Sequence, residues 1–309
     1  MNDPTAYCHS AAPDPPDSDV SARIARLFVY PIKSCAGIEL KQSPLHDTGL
    51  AHDREWMLVD AEGEFVSQRD LPRMALIRPT FEGGGLLLDA PGMERLRLLL
   101  SGAAGSSLQV RVWDDEMPAF DAGDGAADWF SRFLKGAAPP SLQRLRLVRI
   151  DPANVRLSSR RWTAGNTAPV LFADGYAMLL ASEASMLELN RRLAARGEPA
   201  VGVERFRPNL VLAGIEPHDE DRLDELRIDT DRGAEVRLKV VKPCVRCPIP
   251  NIDPATALSA PAVGDELQRY RQNGAMGGGV TFGMNAIVTG GAGALLEVGQ
   301  AVAGNWRFD

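Results

Sequence analysis

Disulfide chemistry has little material here: 309 residues carry only four cysteines, Cys8, Cys35, Cys244 and Cys247. A chain of this size with so few is not a disulfide scaffold, and a reducing, cytoplasmic setting is expected. Long apolar runs are missing as well. No stretch approaches the roughly 20 apolar residues of a transmembrane helix, so no membrane partner is expected. The opening MNDPTAYCHSAAPDPPDSDV lacks the basic head and apolar run of a secretory signal; its prolines and scattered Asp and Ser predict a disordered lead-in over residues 1–20. Positive charge is in deficit, with 34 Lys and Arg against 41 Asp and Glu and a net charge of −7, which argues against nucleic acid as a partner. The sequence contains no G-x-G-x-x-G, no G-x-x-x-x-G-K-[ST], no H-E-x-x-H and no G-x-S-x-G. Those absences remove the dinucleotide fold, the P-loop, the zinc peptidase and the hydrolase elbow.

What is present is β-rich. LFVYPI, EWMLVD, EFVS, ALIRPTF, GLLLD, RLRLLL and LQVRVW are strand-like runs separated by Gly, Asp and Pro, and they predict an antiparallel sheet or barrel. DAEG between EWMLV and EFVS reads as a hairpin turn. Helices are expected over Asp128–Lys135, whose Trp129, Phe130, Phe133 and Leu134 share a face, and after Ser182, a good N-cap, as far as Gly197. A short third helix is expected in GDELQRYRQ. The Gly-rich tail reads as two or more strands joined by tight turns. A basic run, Val155 to Trp162, is expected to be a solvated loop. A boundary falls near Ala137–Ser141.

The segment VKPCVRCPIPNIDPATA carries two cysteines at C-x-x-C spacing. A redox disulfide would place the first thiol at a helix N-terminus, and Pro248, Pro250 and Pro254 oppose a helix there. A structural zinc site needs four ligands, and His9, His46, His52 and His218 show no ligand spacing. A thiolate beside Lys242 and Arg246, on a stiff proline-rich loop, would suit a soft metal centre brought in by a cofactor. Two ordinary buried cysteines would look the same from this segment alone.

This segment resembles the cysteine loop of the MOSC family, the molybdenum-cofactor-binding domains, in its amidoxime-reductase branch. Further segments agree in order: LFVYPIKSCAGIEL, GLAHDREWMLVDAEGEFVSQRDLPRMALI, LLASEASMLELNRRL and ERFRPNLVLAG. The resemblance implies a mainly β fold with a few helices. A MOSC N-terminal β-barrel-like domain would span residues 21–138 and a β-barrel MOSC domain 139–309. It implies a molybdenum–pterin cofactor with Cys247 as the metal ligand and catalytic residue. Lys33, Ser34, Arg54, Arg207, Asn209, Val245 and Arg246 would bind the cofactor. Val245 stands where many relatives have Ser, which leaves only a backbone contact there. Cys35 and Cys244 are expected to be packing residues, and Asp253 to order the loop.

The resemblance further implies reduction of small N-hydroxylated compounds by oxygen-atom transfer to the cysteine-bound molybdenum. A separate electron donor of ferredoxin or flavin-reductase type would supply the electrons. Pyridoxal phosphate binding enters as a family property. A cofactor or sulfur carrier with persulfide on Cys247, a Cys244–Cys247 disulfide enzyme and a zinc-bearing structural protein are the rival readings.

Overall fold

Alternation of apolar and polar residues makes Val20–Val29 a strand, and both of its long-range neighbours come from far along the chain. It pairs antiparallel with Leu210–Ala213 on one side and with Ala301–Trp306 on the other. This computed structural model describes residues 18–101, 105–137, 139, 142, 144–230 and 233–308, so the expected lead-in lies outside the described residues up to position 17, as does Cys8.

From Ala301–Trp306 the ladder continues through Leu223–Asp229, Glu235–Val245 and Gly279–Gly290 to Met178–Ser182. Met178–Ser182 pairs in parallel with Leu210–Ala213, which closes a seven-stranded barrel. Closure removes the open edges that would template aggregation. Ile24, Leu180, Leu212, Leu226, Leu238 and Met284 are fully buried in its core.

The second unit is an open antiparallel sheet in the order Trp56–Val59, Arg146–Ile150, Asp115–Asp121, Ser107–Val112. Its residues alternate between two cores, as a period of two requires. Trp56, Leu58 and Leu147 face a cluster with Leu86, Leu88, Phe130 and Phe133, while Met57, Val59, Val148 and Ile150 face the other side with Val110 and Val112. A meander, Arg78–Glu82, Gly85–Asp89 and Leu96–Leu99, covers the first cluster. The fold is thus the mainly β architecture expected, with three α-helices among the described residues.

Helix α1 spans Asp124–Leu134, four residues earlier than the apolar face marks, because Ala126 and Ala127 also bury and Gly123 turns the chain in at φ 90°. Helix α2 spans Glu183–Ala194; Ser182 Oγ accepts from the Ser185 amide at 3.0 Å. The hydroxyls of Ser182 and Ser185 also donate to the buried Glu220 carboxylate at 2.9 and 2.8 Å. Ser182→Ala should therefore cost more than an ordinary cap, about 1–3 kcal/mol, since it also removes a donor from a buried carboxylate. Urea unfolding checks this, with the solvent-facing Glu183→Ala as comparison. Helix α3 spans Ala262–Tyr270.

Within the basic run Leu157, Ser159, Arg160 and Arg161 are exposed, as expected of a solvated loop, but Arg156 departs from it. Arg156 is buried and donates to Asp115 at 2.7 Å and to the carbonyls of Leu171 and Ala173 at 3.2 and 2.7 Å. A guanidinium can be buried when its fork is filled this way, and here it pins residues 171–173.

Candidate functional site

Strand Glu235–Val245 runs farther than its apolar residues predict and carries Cys244 at a break in its pairing with Gly279–Gly290, between Pro243 and Val245. The register shifts on both sides of Pro243, which has no N–H to give. Cys247 lies two residues past the strand, on a loop stiffened by the 3-10 turn Ile249–Asn251. Asp253 accepts from the amides of Ala255 and Thr256 at 2.7 and 3.2 Å, and Arg205 ties it down at 3.0 Å while reaching the Pro250 carbonyl. Asp253 thus orders the loop.

Tyr30, just beyond the first strand, is fully buried between two guanidinium groups. Arg54 and Arg207 sit 4.3 and 4.2 Å from its ring centre. A side chain at Gly37 would come within 2.5 Å of that ring, so the approach requires glycine. Ser34, Arg54 and Arg207 all hold positive φ, at 68°, 50° and 60°. Each such residue costs on the order of 1–2 kcal/mol, which the surrounding contacts must hold in place.

These elements enclose a cleft with about 820 Å³ of empty space including its mouth, and Lys33, Ser34, Arg54, Arg207, Asn209, Val245, Arg246 and Cys247 all line it. Sequence positions from 33 to 247 meet there. Their side chains are not equally available. Lys33 is buried, donates to the Phe172 carbonyl at 2.9 Å and is paired with Asp174; burial pulls its pKa below the usual lysine value. Arg54 is held by Asp53 at 2.5 Å. The Asn209 amide is spent within the protein, accepting from the Leu179 amide at 3.1 Å and donating to the Phe28 carbonyl at 3.2 Å.

Arg207 differs. Its Nη1 donates to the Cys35 carbonyl at 2.6 Å, while Nη2 is buried without a partner. Burial, then the charge of Arg54, pulls this guanidinium down to about 10. Such an uncompensated cation in a cleft is a receptor for an anion.

Of the two cations expected beside the thiols, Arg246 reaches the Cys244 sulfur at 2.9 Å and the Phe206 carbonyl at 2.8 Å, whereas Lys242 lies over the Trp162 ring. Cys35, Cys244 and Cys247 are free thiols. Burial pushes Cys35 up to about 12, consistent with a packing role. Among the described residues no three His, Cys, Asp or Glu side chains gather as a metal site, so a zinc site of protein ligands alone has no support. Pyridoxal phosphate has none either: the one lysine lining the cleft, Lys33, is engaged by Asp174.

Sequence reasoning missed Asp174, Tyr30 and Arg69. Arg69 lies in the quoted QRDLPR segment and lines the cleft from the second unit, its guanidinium 4.8 Å from the Trp113 ring centre and 5.7 Å from that of Phe65.

A closed barrel whose cleft combines a free thiol with unpaired guanidinium groups fits the family found by comparison. Residues 21–137 match the MOSC N-terminal beta barrel domain and residues 167–303 the MOSC domain, and the chain belongs to this family. It is similar to mitochondrial amidoxime-reducing component 1 of Mus musculus, 36% identical over 243 residues, 76% of this chain and 67% of that protein. The Homo sapiens component 1 is 33% identical over 258 residues, 81% of this chain and 72% of that protein. Component 2 of Rattus norvegicus is 32% identical over 244 residues, 76% and 68% respectively. No helix among the described residues is long and apolar enough to cross a membrane. The named relatives are mitochondrial, so the cytoplasmic expectation drawn from the cysteine count is not carried forward.

Proposed function

We propose that this protein is an oxidoreductase that reduces N-hydroxylated compounds with a molybdenum–pterin cofactor held in the cleft, drawing electrons from a separate ferredoxin- or flavin-type donor. The observation that carries the reading is the meeting of Cys247, a free thiol, and Arg207, a buried guanidinium with an unpartnered Nη2, in one cleft. The names of the relatives supply the reaction class.

The residues present fit such a group. A thiolate is a soft ligand for the metal, and a buried guanidinium with an open Nη2 is a partner for phosphate. Cys247 would hold the metal, and Arg207 the phosphate, with Ser34 and the Lys33 ammonium at its edge. When bound, the group supplies two-electron oxygen-atom transfer. The net conversion takes R–NH–OH, two electrons from the donor and two protons from solvent to R–NH2 and water.

Arg54 and Asn209 act at one remove. Arg54 spans Asp53 and the Arg207 carbonyl, and Asn209 joins the first strand to Met178–Ser182, so both fix where Arg207 stands. Arg246 braces the cysteine segment against Phe206. Arg205 fixes the loop beyond Cys247 through Asp253.

Elemental analysis of protein expressed in a molybdenum-replete host tests the reading. It expects about one molybdenum per chain, as one thiolate site can hold, and reduction of benzamidoxime with an artificial electron donor. Well-folded protein without molybdenum, carrying cyanolysable sulfur instead, would establish the carrier reading in its place.

A further inference from the structure

Five cations line the cleft, Lys33, Arg54, Arg69, Arg207 and Arg246, against one carboxylate in the lining, Asp174. Asp53 behind Arg54 adds a second negative charge, which leaves the site near +3 in a protein of net charge −7. A cofactor phosphate neutralises about −1.5 to −2 of this. A Cys247 thiolate takes up about one unit more, so the cleft as a whole comes near balance and the placing of the cations decides the sign at its mouth.

Four of the five cations are buried or half-buried; only Arg69 is exposed. Arg69 also comes from outside the barrel strands. Its Nε donates to Ser67 Oγ at 3.1 Å, and its guanidinium rests over Trp113, which is itself packed edge-on against Phe65 at 4.8 Å. The nearest acid in sequence, Asp70, accepts from the Ser67 hydroxyl and amide at 2.8 and 3.1 Å. No carboxylate lies within salt-bridge distance of Arg69 among the described residues, though Asp174, already paired with Lys33, is near enough for the Arg69 charge to help hold its carboxyl down. A stacked guanidinium is pre-oriented, so less entropy is lost when it forms hydrogen bonds. Among the described residues neither of its Nη groups makes a hydrogen bond, and the side chain is exposed where it lines the cleft.

We infer that Arg69 is a specificity-determining residue that selects N-hydroxylated substrates bearing a negative group, a carboxylate or a phosphonate-like phosphate, at the end remote from the N–O bond. The inference rests on the reductase reading and names the substrate class of that same site. Rim charges act chiefly on encounter and affinity, so the preference belongs in KM and weakens with salt.

The test uses molybdenum-loaded full-length protein and three substrates on one scaffold: benzamidoxime, its para-carboxy derivative and its para-phosphonomethyl derivative. At low salt the anionic compounds should exceed the neutral parent in kcat/KM by about tenfold, the difference shrinking as salt screens the rim. Arg69→Gln should lower the ratio of anionic to neutral kcat/KM by about five- to tenfold through KM, and Arg69→Lys should restore part of it. Molybdenum per chain should stay at the wild-type value in both variants. Equilibrium dialysis of para-carboxybenzamide, which has no N–O bond, should show the same loss of affinity without turnover. A larger gain for one anion than the other identifies carboxylate or phosphate as the preferred group.

Equal kcat/KM across the three compounds overturns the inference while leaving the reductase reading intact, as does a preference indifferent to Arg69→Gln. Reduction of none of them by molybdenum-loaded protein overturns both.

Discussion

Cys247→Ala should purify almost free of molybdenum, with the benzamidoxime reductase activity lost alongside. Removing a second-shell partner of a metal ligand typically costs about 10- to 100-fold in affinity, and removing the ligand thiolate itself should exceed that. The informative comparison is Cys244→Ala. Cys244 falls at the register shift between Pro243 and Val245 and also lines the cleft, and its sulfur serves as an acceptor for Arg246 Nη1. Its loss leaves Arg246 the Phe206 carbonyl, so most of the bound molybdenum should remain. A disulfide enzyme would instead lose activity equally in both variants. Metal analysis, thiol titration and turnover on the same preparations separate these outcomes. Retention of molybdenum and full activity by Cys247→Ala would remove Cys247 from the site.

Arg207→Met should have opposite effects on the empty and the loaded protein. In the empty protein this guanidinium is an uncompensated cation beside Arg54, and burial and repulsion both work against its charge. Its removal gives up the bond to the Cys35 carbonyl, worth about 1–3 kcal/mol, but relieves that repulsion. The cofactor-free variant should therefore unfold within about 1 kcal/mol of the wild type. Loading should suffer far more: truncating one partner of a buried ion pair costs about 2–5 kcal/mol, or roughly 30- to 5,000-fold in affinity. Arg207→Lys keeps the charge without the planar fork and should fall between them. Thermal unfolding of apoprotein together with molybdenum and phosphate content after reconstitution checks both halves. Equal losses in the two forms would make Arg207 a structural residue only.

Much of the fold was legible in the sequence because it depends on local patterns. Strand alternation, the Ser182 cap and the face made by Trp129, Phe130 and Phe133 are properties of neighbouring residues, and all appear in the structure. Many of the residues that line the cleft were also legible, since VKPCVRCPIPNIDPATA and its companion segments mark them, but Asp174 and Arg69 were not. Arg156 was misread because the acceptors that bury it, the Leu171 and Ala173 carbonyls and Asp115, lie outside its own segment. Strand Glu235–Val245 ran past its expected end because Gly279–Gly290, far downstream, supplies the partner.

By itself, then, the sequence determined the mainly β class, the family and eight of the residues that meet in the cleft. Only the tertiary structure decided which of them are free to act. Asn209 spends its amide on Phe28, 181 residues away, Lys33 is matched by Asp174 across 141, and Arg207 closes on the Cys35 carbonyl across 172, its second Nη left bare. The first strand becomes a stave of a barrel completed near residue 306. Hydrogen-bond capacity is used up by whichever partner folding brings within about 3 Å, and partners so distant in sequence are set by chain topology rather than by local pattern.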